Sequence, residues 1–177
     1  MSSTMYWHSN EIMDEIPPGS IDLVLTSPHQ PYEFSDEYLD KYYKDIYKVL
    51  FDSTVKLKPN GYLVFVVTDN YHNGTLVTRH VKFLEMLRNL HLNVFSIKIW
   101  SRGDFVELYR PSFSYVLLCS KERTKTLETI KKMHKAPFGY DIWQIKDDYK
   151  LWKKYSAFPS ELASRCIQCF TNENDSI

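Results

Sequence analysis

The sequence Ile21-Asp22-Leu23-Val24-Leu25-Thr26 is a short, nearly continuous apolar run that follows the turn residues Pro17-Pro18-Gly19-Ser20. A run of this length bounded by turn residues predicts a strand that is buried on both faces, as in a parallel sheet. It leads directly into Ser27-Pro28-His29-Gln30-Pro31-Tyr32, which is called the proline loop below. Because ligands of open α/β sheets bind beyond the carboxyl ends of the strands, the proline loop is the first candidate for a functional site.

Strand and helix patterns alternate after the proline loop. Apolar side chains recur at helical spacing from Asp36, which is expected to cap the helix, to the residues before Pro59. A second buried strand is predicted over residues 62–68, and a second helix over residues 77–90. The buried face of that helix is predicted to consist of Val81, Leu84, Leu87 and Leu90.

The later part of the chain predicts an antiparallel strand pair and a last helix. The two strands are expected over residues 92–100 and 113–120, and residues 121–135 form either a surface helix or a mobile arm. Ser160 is expected to cap a helix that ends at Phe170. The whole order predicts one α/β domain, with a mostly parallel sheet and an antiparallel strand pair at its end.

The composition limits the class of protein. The chain has 177 residues, 44% of them hydrophobic, with 22 Lys and Arg against 22 Asp and Glu, which predicts an ordered single domain. We find neither a membrane-spanning run nor a signal peptide in the sequence, so the expected location is the cytoplasm. Zero net charge argues against a protein that binds nucleic acid by phosphate contacts alone.

Glycine is scarce, and this excludes the usual phosphate and nucleoside loops. The five glycines stand at positions 19, 61, 74, 103 and 139, and no two of them lie within ten residues of each other. A Rossmann fingerprint and a P-loop both need clustered glycines so that the backbone can approach the ligand. Any cofactor of this chain must therefore be held in another way.

The three cysteines predict neither a disulfide framework nor a metal centre. Cys166 and Cys169 have the spacing of half a zinc site, but no second pair follows them, so packing on one helical face is the favoured interpretation. The six histidines show no metal-binding spacing, and the sequence predicts no metal site.

The proline loop carries groups that suit an amino-group substrate. A rigid loop can aim the Ser27 hydroxyl and the Pro28 carbonyl at an amine, and the Tyr32 ring offers a face on which a flat base can stack. A plain proline-rich turn explains the same residues equally well. The residues alone leave both interpretations open.

Several stretches, in this order, resemble the S-adenosylmethionine-dependent DNA amino-methyltransferases of the beta type, in which the motif order is permuted. The similar stretches are residues 14–28, 57–65, 99–100 with 110–117, 141–143, and 157–162. The resemblance implies a Rossmann-like methyltransferase fold that acts on DNA. It also implies transfer of a methyl group to the exocyclic amine of cytosine N4 or adenine N6.

The resemblance also implies residue roles. Ser27, Pro28, Pro31 and Tyr32 correspond to the catalytic motif of the family, in which two acceptors hold the flipped base by its amine while an aromatic ring stacks on it. Phe158, Pro159 and Glu161 correspond to the stretch that leads into the cofactor-binding motif. A serine at the first loop position favours N4-cytosine over N6-adenine.

The chain departs from the family pattern in two places. His29 and Gln30 separate two prolines that are adjacent in the family, and the glycine motif expected after Leu162 is absent from residues 1–177. These residues are therefore predicted to form one incomplete methyltransferase domain, the catalytic half, which works with a complementary chain. The alternative is an inactive methyltransferase-like binding or regulatory module.

The sequence makes two predictions about partners, and the first follows from the missing half. The strand at Ile21 to Thr26 is expected to lie at a sheet edge and to recruit a second copy or a complementary chain. The basic stretch Lys121, Arg123, Lys125, Lys131, Lys132 and Lys135 is interpreted either as a phosphate-contacting surface or as an ordinary solvated face.

Overall fold

The computed structural model describes residues 13–103, 111–122, 131, 133–134, 138–146 and 157–177. Within these residues, no helix is long and apolar enough to cross a bilayer. The main elements, in chain order, are β1 (Ile21–Thr26), α1 (Asp36–Lys56), β2 (Leu57–Val67), β3 (Asn70–His72), β4 (Thr75–Val77), α2 (Arg79–Asn89), β5 (Asn93–Ser101), β6 (Phe113–Ser120), β7 (Ile142–Gln144) and α3 (Ser160–Phe170).

Five strands form the central sheet in the order β1-β2-β6-β5-β7. β1 pairs with β2 in parallel and β5 pairs with β7 in parallel, while β6 runs antiparallel to both β2 and β5. Four of the strands therefore point the same way. The predicted α/β fold with a mostly parallel sheet and an antiparallel pair is confirmed, and the reversed strand lies inside the sheet.

Helices cover both faces of the sheet, which explains the continuous apolar runs of its strands. Alternate β2 side chains, such as Leu63 and Phe65, belong to a core cluster under α1 and α2. The other set, such as Tyr62 and Val64, packs in a second cluster that includes α3 side chains. All seven residues from Gly61 to Val67 are consequently buried.

The caps of α1 and α3 differ from the predicted ones. Ser35 caps α1, since its side chain accepts from the backbone N–H of Tyr38, and Asp36 is the first helical residue. Pro159 occupies the N-cap position of α3, and Ser160 is the first residue of that helix. The Pro159 carbonyl accepts from the N–H groups of Leu162 and Ala163, so the turn closes without a side-chain cap.

The buried face of α2 was predicted in part: Leu87 and Leu90 are buried as expected, Leu84 is half-buried, and Val81 is wrong. Phe83, Met86, Leu87 and Leu90 are buried, whereas Val81 is 53% exposed. Phe83 is the largest apolar side chain of the helix, and its ring packs against the Phe65 ring with 5.0 Å between the centroids. The helix is therefore rotated to bury Phe83.

β2 begins five residues earlier than predicted, and a hairpin follows it. Leu57 pairs with Ile21 before a register irregularity, and a Cβ at Gly61 would lie 3.0 Å from the Ile21 carbonyl oxygen, so glycine is required there. Beyond β2, β3 and β4 pair through a two-residue turn, Asn73-Gly74, with φ of 48° and 76°. Two positive φ values are typical of a type I′ hairpin turn.

β1 lies at the edge of the central sheet, as predicted. The N–H groups of Asp22 and Leu23 donate to the Ser176 carbonyl at 2.9 and 3.2 Å. The Asp22 carboxylate in turn accepts from the Ser176 N–H at 2.9 Å and from the Lys58 ammonium at 2.6 Å. The amino-terminal half of this edge is thus already bonded within the chain, and self-association through β1 stays a prediction.

Candidate functional site

The carboxyl edge of the sheet gathers the polar features of the fold. β1 ends in the proline loop, and β2 ends at Val67, which pairs with Tyr115 near the start of the reversed strand β6. The β3–β4 hairpin joins the same edge, because the rings of Phe34 and His72 stack with 4.2 Å between their centroids. The proline loop, which was predicted as the site, therefore lies at the same edge as the ends of β1 and β2 and the β3–β4 hairpin.

The proline loop presents some side chains to solvent and anchors others. Ser27, His29 and Gln30 are exposed, Pro28 is half-buried, and Pro31 is buried. Tyr32 is 84% exposed, and one face of its ring stacks on His29 at 5.4 Å with an interplanar angle of 20°. Tyr32 therefore has a free aromatic surface for a flat ligand.

A pocket of about 320 Å³ lies between the proline loop and α1. A volume of roughly 300 Å³ or more is typical of small-ligand pockets. Ser27 and Pro28 line it, together with the neighbouring Thr26 and His29. The other lining residues are Tyr38, Lys41, Tyr42, Asp45, Ile46, Val49, Leu50 and Phe65. Of the residues described here, Pro31, Tyr32 and the predicted cofactor-binding residues do not line it.

The His29 carbonyl oxygen anchors the proline loop to the protein interior. The Tyr42 hydroxyl donates to this oxygen at 2.7 Å, and Nη2 of Arg79 donates to it at 3.0 Å. Nη1 of Arg79 donates to the Thr68 carbonyl at 3.1 Å, and the same guanidinium hydrogen-bonds the Tyr42 hydroxyl. Sequence analysis missed both residues, because the atoms that they bind are main-chain atoms far away in sequence.

Burial keeps the Tyr42 hydroxyl of this cluster protonated. Arg79 is fully buried, and its guanidinium lies 5.6 Å from the ring centroids of Tyr42 and Phe83. Burial raises the pKa of Tyr42 to about 12, although the neighbouring Arg79 charge opposes the shift. The phenol therefore stays protonated near neutral pH and remains a donor to His29.

An aspartate and histidine pair forms a second rigid group at the edge. Asp69, which is buried, accepts from the backbone N–H of His80 at 3.0 Å and contacts its Nδ1 at 2.7 Å. The His80 ring stacks on Tyr115 with 4.0 Å between the centroids. Burial and the Asp69 charge raise the pKa of Tyr115. The sequence analysis did not single out this pair, although an aspartate two residues after an apolar strand is a signal that could have indicated it.

A third polar group lies at the ends of β5 and β6. Nη2 of Arg102 donates to the Ser114 hydroxyl at 2.5 Å and to the Thr68 hydroxyl at 3.3 Å. The guanidinium also lies 4.5 Å from the Trp100 ring centroid. Hydroxyl and aromatic partners hold this cation close to the strand ends.

The predicted cofactor-binding residues lie at the start of α3. Phe158 is half-buried against the core, Pro159 is buried, and Glu161 is exposed with an ion pair to Arg165 at 2.6 Å. The Phe170 ring contacts Phe95 near the start of β5, whereas the Arg165 guanidinium lies 5.8 Å from the ring centroid of Trp143, which pairs with Trp100 near the end of β5, so α3 runs against the strand direction. The start of α3 therefore points towards the carboxyl edge, on the face opposite to α1.

The basic stretch splits between described and undescribed residues. Lys121 donates to the Leu57 carbonyl at 2.7 Å, and burial lowers the pKa of its ammonium. Leu57 begins β2, so Lys121 lies at the opposite edge from the proline loop and cannot contact phosphates there. Lys131 is exposed, while Arg123, Lys125, Lys132 and Lys135 lie outside the described residues. Arg110, in one of the similar stretches, also lies outside them.

The cysteines pack in the core. Cys119, Cys166 and Cys169 are buried, and burial raises the pKa of the first two thiols to about 12. The packing interpretation of Cys166 and Cys169 on one face of α3 is thus confirmed. The described residues contain no group of three His, Cys, Asp or Glu side chains able to hold a metal ion.

Comparison with protein families identifies one match. A family model described as DNA methylase covers residues 21–177 of the chain. No protein among the curated sequences matches it.

Solved structures with the same fold include two methylases. TTHA0409 of Thermus thermophilus, provisionally assigned as a DNA modification methylase and complexed with S-adenosyl-L-methionine, is 22% identical with a TM-score of 0.73. The alignment covers 94% of this chain and 73% of TTHA0409. PvuII DNA methyltransferase, which is cytosine-N4-specific, is 17% identical with a TM-score of 0.70, covering 94% of this chain and 69% of its own. These likenesses show a shared fold.

Proposed function

The chain belongs to the DNA methylase family, whose model matches residues 21–177, and we propose that it is an S-adenosylmethionine-dependent methyltransferase acting on an exocyclic amine of a DNA base. The observation that carries the proposal is the pocket in which Ser27 and Pro28 meet beyond the carboxyl end of β1. The cofactor is supported by a structural neighbour that was solved with S-adenosyl-L-methionine.

The proposed role of the proline loop is to hold the amine. The Ser27 hydroxyl and the Pro28 carbonyl would accept its two N–H groups, which directs the nitrogen lone pair away from the loop. S-adenosylmethionine, when bound, supplies an electrophilic methyl group on a sulfonium. Fixing the amine in one orientation lowers the barrier mainly by positioning, so the loop needs neither a charged group nor a metal for this task.

The residues present fit the substrate better than they fit the cofactor. A cofactor of this kind needs close approach of the backbone, and no two glycines of the 177 residues lie within ten positions of each other. We propose that the cofactor-binding loop lies outside these residues, on the same polypeptide or on a complementary chain. Phe158, Pro159 and Glu161 would border the cofactor site from the start of α3.

Calorimetry tests this division directly. The 177-residue chain alone should bind S-adenosylmethionine weakly or not at all, because the backbone contacts that a glycine loop provides are absent. Micromolar binding to the chain alone would contradict the proposal that the loop lies elsewhere. Binding that appears only when a glycine-motif partner is added would support it.

We propose N4-cytosine as the preferred base over N6-adenine. The serine at the first loop position supports this choice, and so does the structural similarity to a cytosine-N4-specific enzyme. Nucleoside mass spectrometry identifies the product. DNA is taken from a host without amino-methylation that expresses the chain, alone and together with the gene downstream of it. N4-methylcytosine supports the proposal, whereas N6-methyladenine would reverse the base preference and keep the reaction.

The second candidate is an inactive methyltransferase-like binding or regulatory module. His29 and Gln30 lengthen the proline loop, and Tyr32 stacks on His29 at 5.4 Å without lining the pocket. This arrangement favours a loop that has lost its substrate geometry. DNA binding by the chain with neither methylated nucleoside detectable, alone or with its neighbour, would select this candidate.

A further inference from the structure

His29, one of the two residues that lengthen the proline loop, is hydrogen-bonded by two side chains of the protein interior. His29 separates the two prolines, and its carbonyl accepts from the Tyr42 hydroxyl at 2.7 Å and from Nη2 of Arg79 at 3.0 Å. The side chain of His29 is not part of this contact and stays exposed. Tyr42 comes from α1 and Arg79 from the first turn of α2, so two helices fix one peptide group.

Arg79 is a buried cation whose described partners are neutral: carbonyls, phenol and aromatic rings. The side chain is fully buried, its described hydrogen-bond partners are two carbonyls and a phenol, and its Nε has no partner. It forms no salt bridge among the described residues. Removing a charge from water without a counter-charge is costly, and a buried charge is weak evidence of a stabilising role. Stability alone is therefore a weak explanation of an arginine at this position.

The contacts of Arg79 instead explain it as a tether between strand ends. One nitrogen, Nη1, bonds the Thr68 carbonyl just after β2, and the other, Nη2, bonds the loop that follows β1. The guanidinium thus spans the two neighbouring parallel strands at their carboxyl ends. Pro28 and Ser27, which line the pocket, lie one and two positions before the clamped residue.

We propose that Arg79 and Tyr42 are positioning residues that clamp the lengthened proline loop, so that Ser27 and Pro28 face the pocket. This inference rests on the proposed function for its effect on methyl transfer. The clamp itself is a statement about the loop and can be tested without activity. The clamp would compensate for the two-residue insertion. It fixes the peptide group of His29 from the interior, and so it keeps the preceding residues, Ser27 and Pro28, facing the pocket.

The first test measures loop order by ¹⁵N relaxation. Arg79→Met keeps the length and packing of the side chain and removes its donors, while Tyr42→Phe removes a single hydroxyl. The matched control is Arg88→Met, which makes the same change at an exposed position of α2. In the unaltered chain and the control, the order parameters of the His29 and Gln30 amides should be about 0.85, the value of rigid backbone. In Arg79→Met these order parameters should fall below about 0.6.

Thermal unfolding separates a clamp from a general structural role. Arg79→Met should remain folded at the temperature of the relaxation measurement, because removal of a desolvated charge offsets part of the cost of leaving the Thr68 carbonyl without its donor. Rigid loop amides in both a folded Arg79→Met and a folded Tyr42→Phe would overturn the proposal. If Arg79→Met fails to fold, Tyr42→Phe decides alone, with increased loop motion expected and unchanged loop motion contradicting the clamp.

The second test uses methyl transfer by the complete enzyme. Arg79→Met should lower kcat by about tenfold or more with little change in KM for DNA, and Arg79→Lys should recover part of the loss, since it keeps a charged donor. A larger KM with kcat unchanged would overturn the positioning role. Absence of transfer by the unaltered enzyme would refute the proposed function, while the relaxation data would still decide on the clamp.

Discussion

Tyr32 is the aromatic residue of the proline loop, and its exposure separates function from folding. Tyr32 is 84% exposed, so truncation of its side chain should change the free energy of unfolding by no more than about 0.5 kcal/mol. In the active enzyme, Tyr32→Ala should lower methyl transfer strongly, whereas Tyr32→Phe should keep most of it, because stacking uses the ring and not the hydroxyl. The measurement is single-turnover transfer to a DNA duplex.

Tyr140→Ala is the matched control for Tyr32. Tyr140 is 63% exposed and precedes β7, the strand at the opposite side of the sheet from β1 and its proline loop. Its truncation should leave transfer unchanged. Equal transfer by Tyr32→Ala and Tyr140→Ala would show that the Tyr32 ring does not contact the base.

At the level of single residues, the sequence predicts which polar groups stand in the proline loop. It does not predict the buried side chains that hold the loop in place. Ser27 and Pro28 follow an apolar run, and that position alone indicates the carboxyl edge. Arg79 gives no such signal: an arginine at a helix start is usually exposed. Its partners are the His29 and Thr68 carbonyls, which every residue type possesses, so no pattern of side chains could have revealed the contact.

The cap of α1 makes a prediction at the level of one element. The Ser35 side chain accepts from the Tyr38 N–H at 3.4 Å, and α1 carries Tyr42 towards the proline loop. Ser35→Ala should lower the free energy of unfolding by about 0.5–1 kcal/mol, as expected for the loss of an N-cap. Asp36→Ala should cost less, because Asp36 contributes only its charge near the helix N-terminus. Urea unfolding of the two variants decides which residue is the cap, and a larger loss in Asp36→Ala would contradict the structure.

Elements were predicted best where one periodicity dominates. β1 and β6 have the predicted bounds, and α1 ends before Pro59 as expected, although it begins one residue earlier than a cap at Asp36 predicts. The start of β2 was missed because Pro59 and Gly61 are typical of turns, and here they occupy an irregular stretch of strand opposite Ile21. The β3–β4 hairpin is too short, at three residues for each strand, to show a periodic pattern.

The buried thiols and phenol make stability depend on pH across the whole molecule. An unfolded cysteine has a pKa near about 8.5, whereas burial raises the pKa of Cys119 and of Cys166 to about 12. Above about pH 8.5 the folded chain therefore binds more protons than the unfolded chain, so stability falls as the pH rises towards about 12. Tyr42 acts in the same direction.

Urea unfolding between about pH 7 and pH 10.5 measures this dependence. Each fully buried thiol should contribute a loss on the order of 1 kcal/mol per pH unit above its unfolded pKa. Cys119→Val should reduce the slope while leaving stability at neutral pH within about 1.5 kcal/mol. A slope that is the same in Cys119→Val and in the unaltered chain would mean that the thiol ionises as easily in the folded state.

At the level of the whole molecule, the fold class and the place of the proline loop after β1 follow from the order of the apolar runs, whereas the position of β6 inside the sheet does not. Strand order depends on which backbone edges pair, and a period-two pattern records only which faces are buried. The same limit applies to the edge at β1: its position was predicted, but its bonding to Ser176 depends on a contact 154 residues apart.

The central claim, that the proline loop holds an exocyclic amine for methylation, is tested most directly by single-turnover methyl transfer with Ser27→Ala. The complete enzyme is assayed with labelled S-adenosylmethionine and DNA, beside Ser164→Ala, which makes the same change at an exposed position of α3. We expect a loss on the order of a hundredfold for Ser27→Ala, with DNA binding retained, and no loss for the control. Equal rates for the two variants would contradict the claim and leave the loop as a structural turn.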